Sequence, residues 1–216
     1  MEIPAPRPSR EPKVSTTTDG LDLHTPLRQV AQIGVAFISC ALDEEFREAL
    51  LQEVGGGPFV ALPEQIGPKA VRQQAEAFDV YGDRTAYPLI CALRDDLVGL
   101  TRNHGSGIAG LDKWLPNQAA VQRYQPGTQG ISPHLDGRRY RYLVAIFTVT
   151  GSAHFAVCAN RAGTVLSEWQ ADAGSLILMR GPGLAGIADA RPLHTVEGPR
   201  KVARISVTYR MGTRSR

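Results

Sequence analysis

Arg204-Ile205-Ser206-Val207-Thr208-Tyr209-Arg210 alternates polar and apolar residues without a break. Side chains of a β-strand point to opposite faces in turn, so this period of two predicts a half-buried strand. Ile205, Val207 and Tyr209 form its apolar face. The other face carries two guanidiniums and two hydroxyls. If that face turns into a barrel, it needs an anionic or acceptor-rich partner, and a bidentate arginine–carboxylate pair supplies one.

Working outward, the strand belongs to a series. Short β-type runs separated by Gly and Pro breaks cover Ala120 to Tyr124, Tyr142 to Thr150, Phe155 to Cys158, Gly163 to Trp169, Ser175 to Met179, Thr195 to Val196 and Val202 to Tyr209. Many short strands at this spacing predict an antiparallel barrel or a two-sheet jelly roll. The first half reads differently. Val35 to Ser39 is a strand candidate. A helix follows, with Asp43 as N-cap and Phe46, Leu50 and Val54 on one face. Gly55-Gly56-Gly57-Pro58 ends it. From Pro88 a second helix aligns Ile90, Leu93, Leu97 and Leu100. The expected class is α+β in one domain. Residues 1–25, rich in Pro, Ser and Thr, are expected to form a flexible arm. Residues 26–118 form a helical and mixed supporting region, and 119–216 the β-core.

Composition narrows the field. The chain has 216 residues, 43% of them hydrophobic, and a formal charge of +3. That suits one soluble domain with an ordinary core. No run of 18 apolar residues exists, so no membrane span is expected. No apolar leader follows Met1. Cys40, Cys91 and Cys158 are odd in number and far apart, which suggests neither a disulfide framework nor a zinc knuckle. A reducing cytoplasm is the expected compartment. The modest charge does not argue for nucleic acid.

Ligand-type residues cluster in the β-rich half. His134-Leu135-Asp136 places an imidazole and a carboxylate at i and i+2, on one face of a strand. Pro133 and Gly137 flank the triplet as at a strand end. Alone, the triplet is weak evidence and needs context. His194 supplies it, following the long loop Gly181 to Pro192. Two imidazoles and one carboxylate are what a facial Fe(II) site needs when the remaining positions stay open for chemistry. Glu197-Gly198-Pro199-Arg200 is a strong turn signal. If Val196 pairs with Val202 across it, His194 pairs with Arg204. His24, His104 and His154 are weaker candidates, His154 being expected to pack in the core.

These residues resemble the Fe(II)/2-oxoglutarate-dependent oxygenases, and within them the AlkB-like branch. That branch carries N-x-Y-x-x-G, then HxD, a distal His, and R-x-N-x-T-x-R. The corresponding stretches here are Gln122-Arg123-Tyr124-Gln125-Pro126-Gly127, His134-Leu135-Asp136, His194, and Arg204 to Arg210. Gly174-Ser175-Leu176-Ile177-Leu178-Met179 is similar to the family's strand before the distal His, and Tyr81-Gly82 with the Pro88 helix to the segment before its core. The likeness spans roughly residues 80–211. It implies a double-stranded β-helix, a jelly-roll variant. It further implies that His134, Asp136 and His194 bind iron and form the catalytic centre. Tyr124, Arg204 and Arg210 would bind 2-oxoglutarate, with Gln122, Ser206 and Thr208 assisting, and O2 would take the last iron position.

Two departures bear on the substrate. Gln122 and Ser206 replace asparagines but stay polar. Where nucleic-acid demethylases of the branch have acidic residues after HxD, this chain has Gly137-Arg138-Arg139-Tyr140-Arg141. Guanidiniums do not attract a cationic alkylated base. The expected reaction is hydroxylation, demethylation or desaturation of a neutral or anionic small molecule, with Arg72, Arg84, Trp114, Arg138, Arg139 and Tyr140 as substrate-side candidates. The alternatives are oxidative demethylation of nucleic acid, which requires base flipping, and a non-catalytic jelly-roll binding module.

Overall fold

Asp43 starts the first helix identified from the sequence: its carboxylate accepts the Phe46 N–H at 3.0 Å, satisfying an orphan donor of the first turn. The computed structural model describes residues 15–80 and 85–213. In chain order the elements are α1 (His24–Ile33), β1 (Val35–Ile38), α2 (Glu44–Gly55), β2 (Val60–Ala61), β3 (Gln65–Ile66), β4 (Val71–Arg72), β5 (Glu76–Val80), α3 (Pro88–His104), β6 (Gln118–Tyr124), β7 (Ile131–His134), β8 (Tyr140–Thr150), β9 (Ser152–Cys158), β10 (Val165–Asp172), β11 (Leu176–Arg180), β12 (His194–Val196) and β13 (Arg204–Gly212).

Two antiparallel sheets face each other. The major sheet runs β1-β11-β8-β13-β6-β5-β2, and the minor sheet β10-β9-β12-β7. Strand β8 is buried on both faces, which explains its nearly continuous apolar run. Leu143, Ala145, Phe147 and Val149 pack towards the helices, whereas Val144 and Ile146 pack between the sheets. Strand β13 obeys the same alternation. Ile205, Val207 and Tyr209 join the helix-side core, so Arg204, Ser206, Thr208 and Arg210 are turned inward, between the sheets.

Three expectations need correction. Residues 15–25 are not an arm. Leu23 is fully buried, its N–H donates to His104 Nδ1 at 2.9 Å, and Thr17 bridges Leu42. Leu23, Leu27 and Val30 are spaced i, i+4, i+7 and bury one face of α1, a periodicity masked by the polar residues before it. Residues 1–14 lie outside the described residues. Nor is the region 26–118 only a support, since β1, β5 and β2 extend the major sheet.

The turn after β12 does not close a hairpin. Strand β12 pairs with β7 and β9, while β13 pairs with β6 and β8. Residues 197–203 cross from one sheet to the other, and Val202 is 61% exposed. The apolar faces explain this. Val196 belongs between the sheets, whereas Ile205 is needed against the helices, and one flat hairpin cannot satisfy both. Glycine permits the crossing: a side chain at Gly198 would collide with the Thr128 carbonyl.

Candidate active site

His134 and His194 come together because β7 and β12 are neighbours in the minor sheet. The two residues are direct register partners, with ring centroids 4.2 Å apart. Strand β7 ends at His134, and Asp136 lies just beyond it. Ligand atoms of His134, Asp136 and His194 all fall within 4.8 Å of one another.

The hydrogen bonds orient these ligands. His134 Nδ1 lies 3.0 Å from the Ser132 carbonyl, and His194 Nδ1 lies 3.2 Å from the Pro192 carbonyl. A carbonyl only accepts, so each Nδ1 carries the proton and each Nε2 keeps its lone pair, the arrangement of a metal-binding histidine. Burial pushes the His134 pKa down to about 3, helped by His194, and burial lowers His194 as well. Both rings are therefore neutral. Burial alone would raise the Asp136 pKa, but the guanidiniums of Arg210, first, and Arg191 help hold it below the usual range. Asp136 Oδ2 is buried with no hydrogen-bond partner. An ionised, unpartnered oxygen beside two neutral imidazoles fits a divalent cation.

A cavity of about 390 Å³ opens beside this cluster. Arg204 lies in its wall, 2% exposed. Its Nη2 donates to Thr148 Oγ1 at 2.9 Å and its Nη1 to Ser206 Oγ at 3.3 Å, while Nε has no partner. Burial lowers its pKa. Tyr124 is its cross-strand partner, and burial raises the Tyr124 pKa, so the hydroxyl remains a donor. Gln122 stands opposite Ser206 and also lines the cavity. Among the described residues no carboxylate pairs with Arg204. A buried guanidinium without an anion is costly, and a carboxylate entering the cavity would relieve that cost. Arg210 differs: its Nη2 is 3.7 Å from Asp136 Oδ1, and its guanidinium stacks on Tyr140.

The remaining sequence-derived candidates divide. Arg139 and Tyr140 line the cavity, with Arg139 Nη2 donating to the Tyr140 hydroxyl at 2.8 Å. Arg72 lines a neighbouring cavity with Lys69 and Arg161. Arg138 is exposed and paired with Asp189. Thr208 is fully buried but outside the cavity wall. Trp114 is a correction: it is wholly buried among helix-side residues, and its Nε1 donates to the Leu143 carbonyl at 2.7 Å. Its large apolar ring fills the core, far better use than contact with solvent. Arg84, and Tyr81 beside it, lie outside the described residues. His154 is also not a core residue; it sits between Glu168 and Glu197 at the rim of another cavity.

Sequence reading missed three polar groups. Thr148 braces Arg204 from a strand that reads as plain core. Asp189 and Arg191, in the long loop before β12, form a two-pronged ion pair, and the Arg191 hydrogen bonds hold the Asp189 pKa down to about 2. No spacing rule marks them. A second group, Asp22, His24 and His104, is also compact. There His104 Nδ1 already accepts the Leu23 N–H, which removes that lone pair from metal binding.

No protein-family model matches this chain, and no curated protein matches it. Solved structures do. A prolyl hydroxylase from Trichoplax adhaerens, in complex with a hypoxia inducible factor oxygen degradation domain peptide fragment, aligns with TM-score 0.61 and 16% identity over 87% of each chain. A Pseudomonas putida prolyl-4-hydroxylase aligns with TM-score 0.55 and 15% identity, over 88% of this chain and 99% of that one. An oxidoreductase of the 2OG-Fe(II) oxygenase family from Burkholderia pseudomallei gives TM-score 0.58 and 13% identity, over 89% and 91%. The chain shares the fold of these oxygenases. The two facing sheets are thus a double-stranded β-helix, with the helices packed on the outer face of the major sheet.

Proposed function

We propose that this chain is an Fe(II)- and 2-oxoglutarate-dependent oxygenase. The observation that carries the reading is Arg204, a buried guanidinium without an anion, in the same cavity as three convergent metal-type ligands. His134, Asp136 and His194 would hold the metal. Bound together, Fe(II) and 2-oxoglutarate supply O2 activation, with 2-oxoglutarate, O2 and a substrate C–H converted to succinate, CO2 and C–OH.

The protein's own groups set the geometry. Arg204, braced by Ser206 and Thr148, receives the distal carboxylate of 2-oxoglutarate, and the protonated Tyr124 hydroxyl donates to it. Arg210 lies at the metal end and balances the charge of Asp136. Ile131, Ile146, Phe155 and Val196 line the cavity and exclude water. The second arginine of the R-x-S-x-T-x-R strand supports placement in the AlkB-like branch.

The prime substrate is inferred to be neutral or anionic. Asp136 is the only carboxylate lining the cavity among the described residues, and it is committed to the metal. Arg139 lines the same wall. A cationic alkylated base would find no counter-charge there, which disfavours base repair. The peptide bound to the Trichoplax protein makes a peptide side chain one neutral candidate.

The test is succinate formation from 2-oxoglutarate by protein supplied with Fe(II) and ascorbate. Turnover by the wild type, lost in Asp136→Ala, supports the reading. No turnover by wild type under any condition supports the non-catalytic binding module instead. Formaldehyde release from methylated oligonucleotides would restore the nucleic-acid alternative.

A further inference from the structure

Strand hydrogen bonds do not hold Asp136, because β7 ends two residues earlier. What holds it is a guanidinium from another loop. Arg191 Nη1 donates to the Asp136 backbone carbonyl. The rest of that guanidinium grips Asp189, Nε donating to Oδ1 at 2.8 Å and Nη2 to Oδ2 at 2.9 Å. Arg138, two residues after Asp136, donates its Nε to the same Asp189 at 3.0 Å. The loop carrying Asp136 is thus stitched twice to the loop that leads into His194.

The two stitches are unequal. The Arg191 side chain is 11% exposed, while that of Arg138 is 77% exposed. A planar fork with all three directions occupied is rigid, whereas an exposed pair is loose and screened. Arg191 touches no metal-binding atom. It acts on the backbone of a residue whose side chain does.

We propose that Arg191, clamped by Asp189, is a positioning residue that fixes the Asp136 carboxylate against the two histidines. The inference rests on the metal-site reading above. Groups that orient metal ligands from behind typically change affinity about 10- to 100-fold when removed. The cross-link also joins the two ligand-bearing loops, so losing it loosens the carboxylate without disturbing the His134–His194 pair.

The probe is Mn(II), titrated by electron paramagnetic resonance into metal-free protein. Arg191→Ala is expected to weaken binding about 10-fold or more. Asp189→Asn, which keeps the shape and removes the charge, shifts it in the same direction by less. Arg191→Lys restores part of the loss, since an ammonium still reaches the carbonyl but cannot fork onto Asp189. Arg138→Ala stays within about twofold of wild type, as an exposed pair should. The double variant Arg191→Ala/Asp189→Ala binds no more weakly than Arg191→Ala alone, because the two act as one unit. Folded Arg191→Ala and Asp189→Asn proteins that both bind Mn(II) as wild type does would overturn the proposal. So would a loss of thermal stability with unchanged affinity, which marks a merely structural contact. Failure of the wild type to bind Mn(II), or unchanged binding in His134→Ala, is a separate result: it removes the metal site itself.

Discussion

His134 and His194 stand directly opposite each other on β7 and β12, with ring centroids 4.2 Å apart and each Nδ1 turned to a backbone carbonyl. Cross-strand partners are the closest side chains two antiparallel strands offer. Two like groups in that position are tolerated only while both are neutral. The pair is therefore prepared for a cation before any cation arrives.

That preparation gives acid sensitivity. Burial holds the His134 pKa down to about 3, while the unperturbed value is 6.5. The unfolded chain takes the proton first, so this group's stabilisation is complete above the unfolded value and is lost as pH falls towards the folded one. Thermal denaturation of metal-free protein from pH 7 to pH 4 is expected to show a falling Tm, with a shallower slope in His134→Asn. His194 is lowered too and leaves some slope. Identical slopes in wild type and variant would contradict this account.

Arg204 is expected to behave unlike an arginine held in a salt bridge. A buried charge without a counter-ion carries an uncompensated desolvation cost, which an apolar side chain of similar volume removes. Arg204→Met is expected to keep or raise the Tm of the ligand-free protein. It should also abolish stabilisation by Mn(II) with N-oxalylglycine, which at a hundredfold excess over Kd is worth about 2.7 kcal/mol. Arg210→Ala should retain part of that stabilisation, since its guanidinium faces Asp136. The reverse pattern in differential scanning fluorimetry would exchange the two roles.

Trp114 is expected to affect stability and nothing else. Trp114→Ala should cost about 3–5 kcal/mol in urea denaturation. Trp114→Phe should cost about 1–3 kcal/mol, the penalty for leaving the buried Leu143 carbonyl unpaired. Both folded variants keep the wild-type KM for 2-oxoglutarate; a raised KM would return Trp114 to the site.

Gly198 tests the crossing between the sheets. Gly198→Ala forces a methyl group onto the Thr128 carbonyl and is expected to cost about 3 kcal/mol. Gly127 has φ +79° with open space around it, so Gly127→Ala should cost only about 1 kcal/mol of backbone strain. Equal costs in chemical denaturation would mean that the close approach does not matter.

Local pattern carried much of this. Asp43 and the Phe46-Leu50-Val54 stripe marked α2, and Pro88 with its apolar stripe marked α3, because capping and periodicity are local effects. The runs read as strands start and end within a few residues of the observed ones, whereas β5 and the full extent of β7 were not read from the sequence. Leu23 and α1 were obscured because their apolar stripe follows a polar, proline-rich stretch. Strands β2, β3 and β4 are two residues each, too short to show any period.

The sequence by itself supplied the residues of the candidate site: the HxD triplet, His194, and a strand with arginines on one face. Residue type and a period of two decide such things, and both are properties of neighbours along the chain. Tertiary structure alone decided the partners. His194 faces His134 and not Arg204, Arg204 faces Tyr124, and Asp136 is held by Arg191 from a distant loop. Strand order depends on which apolar faces must share a core, and that choice is made by the whole chain at once.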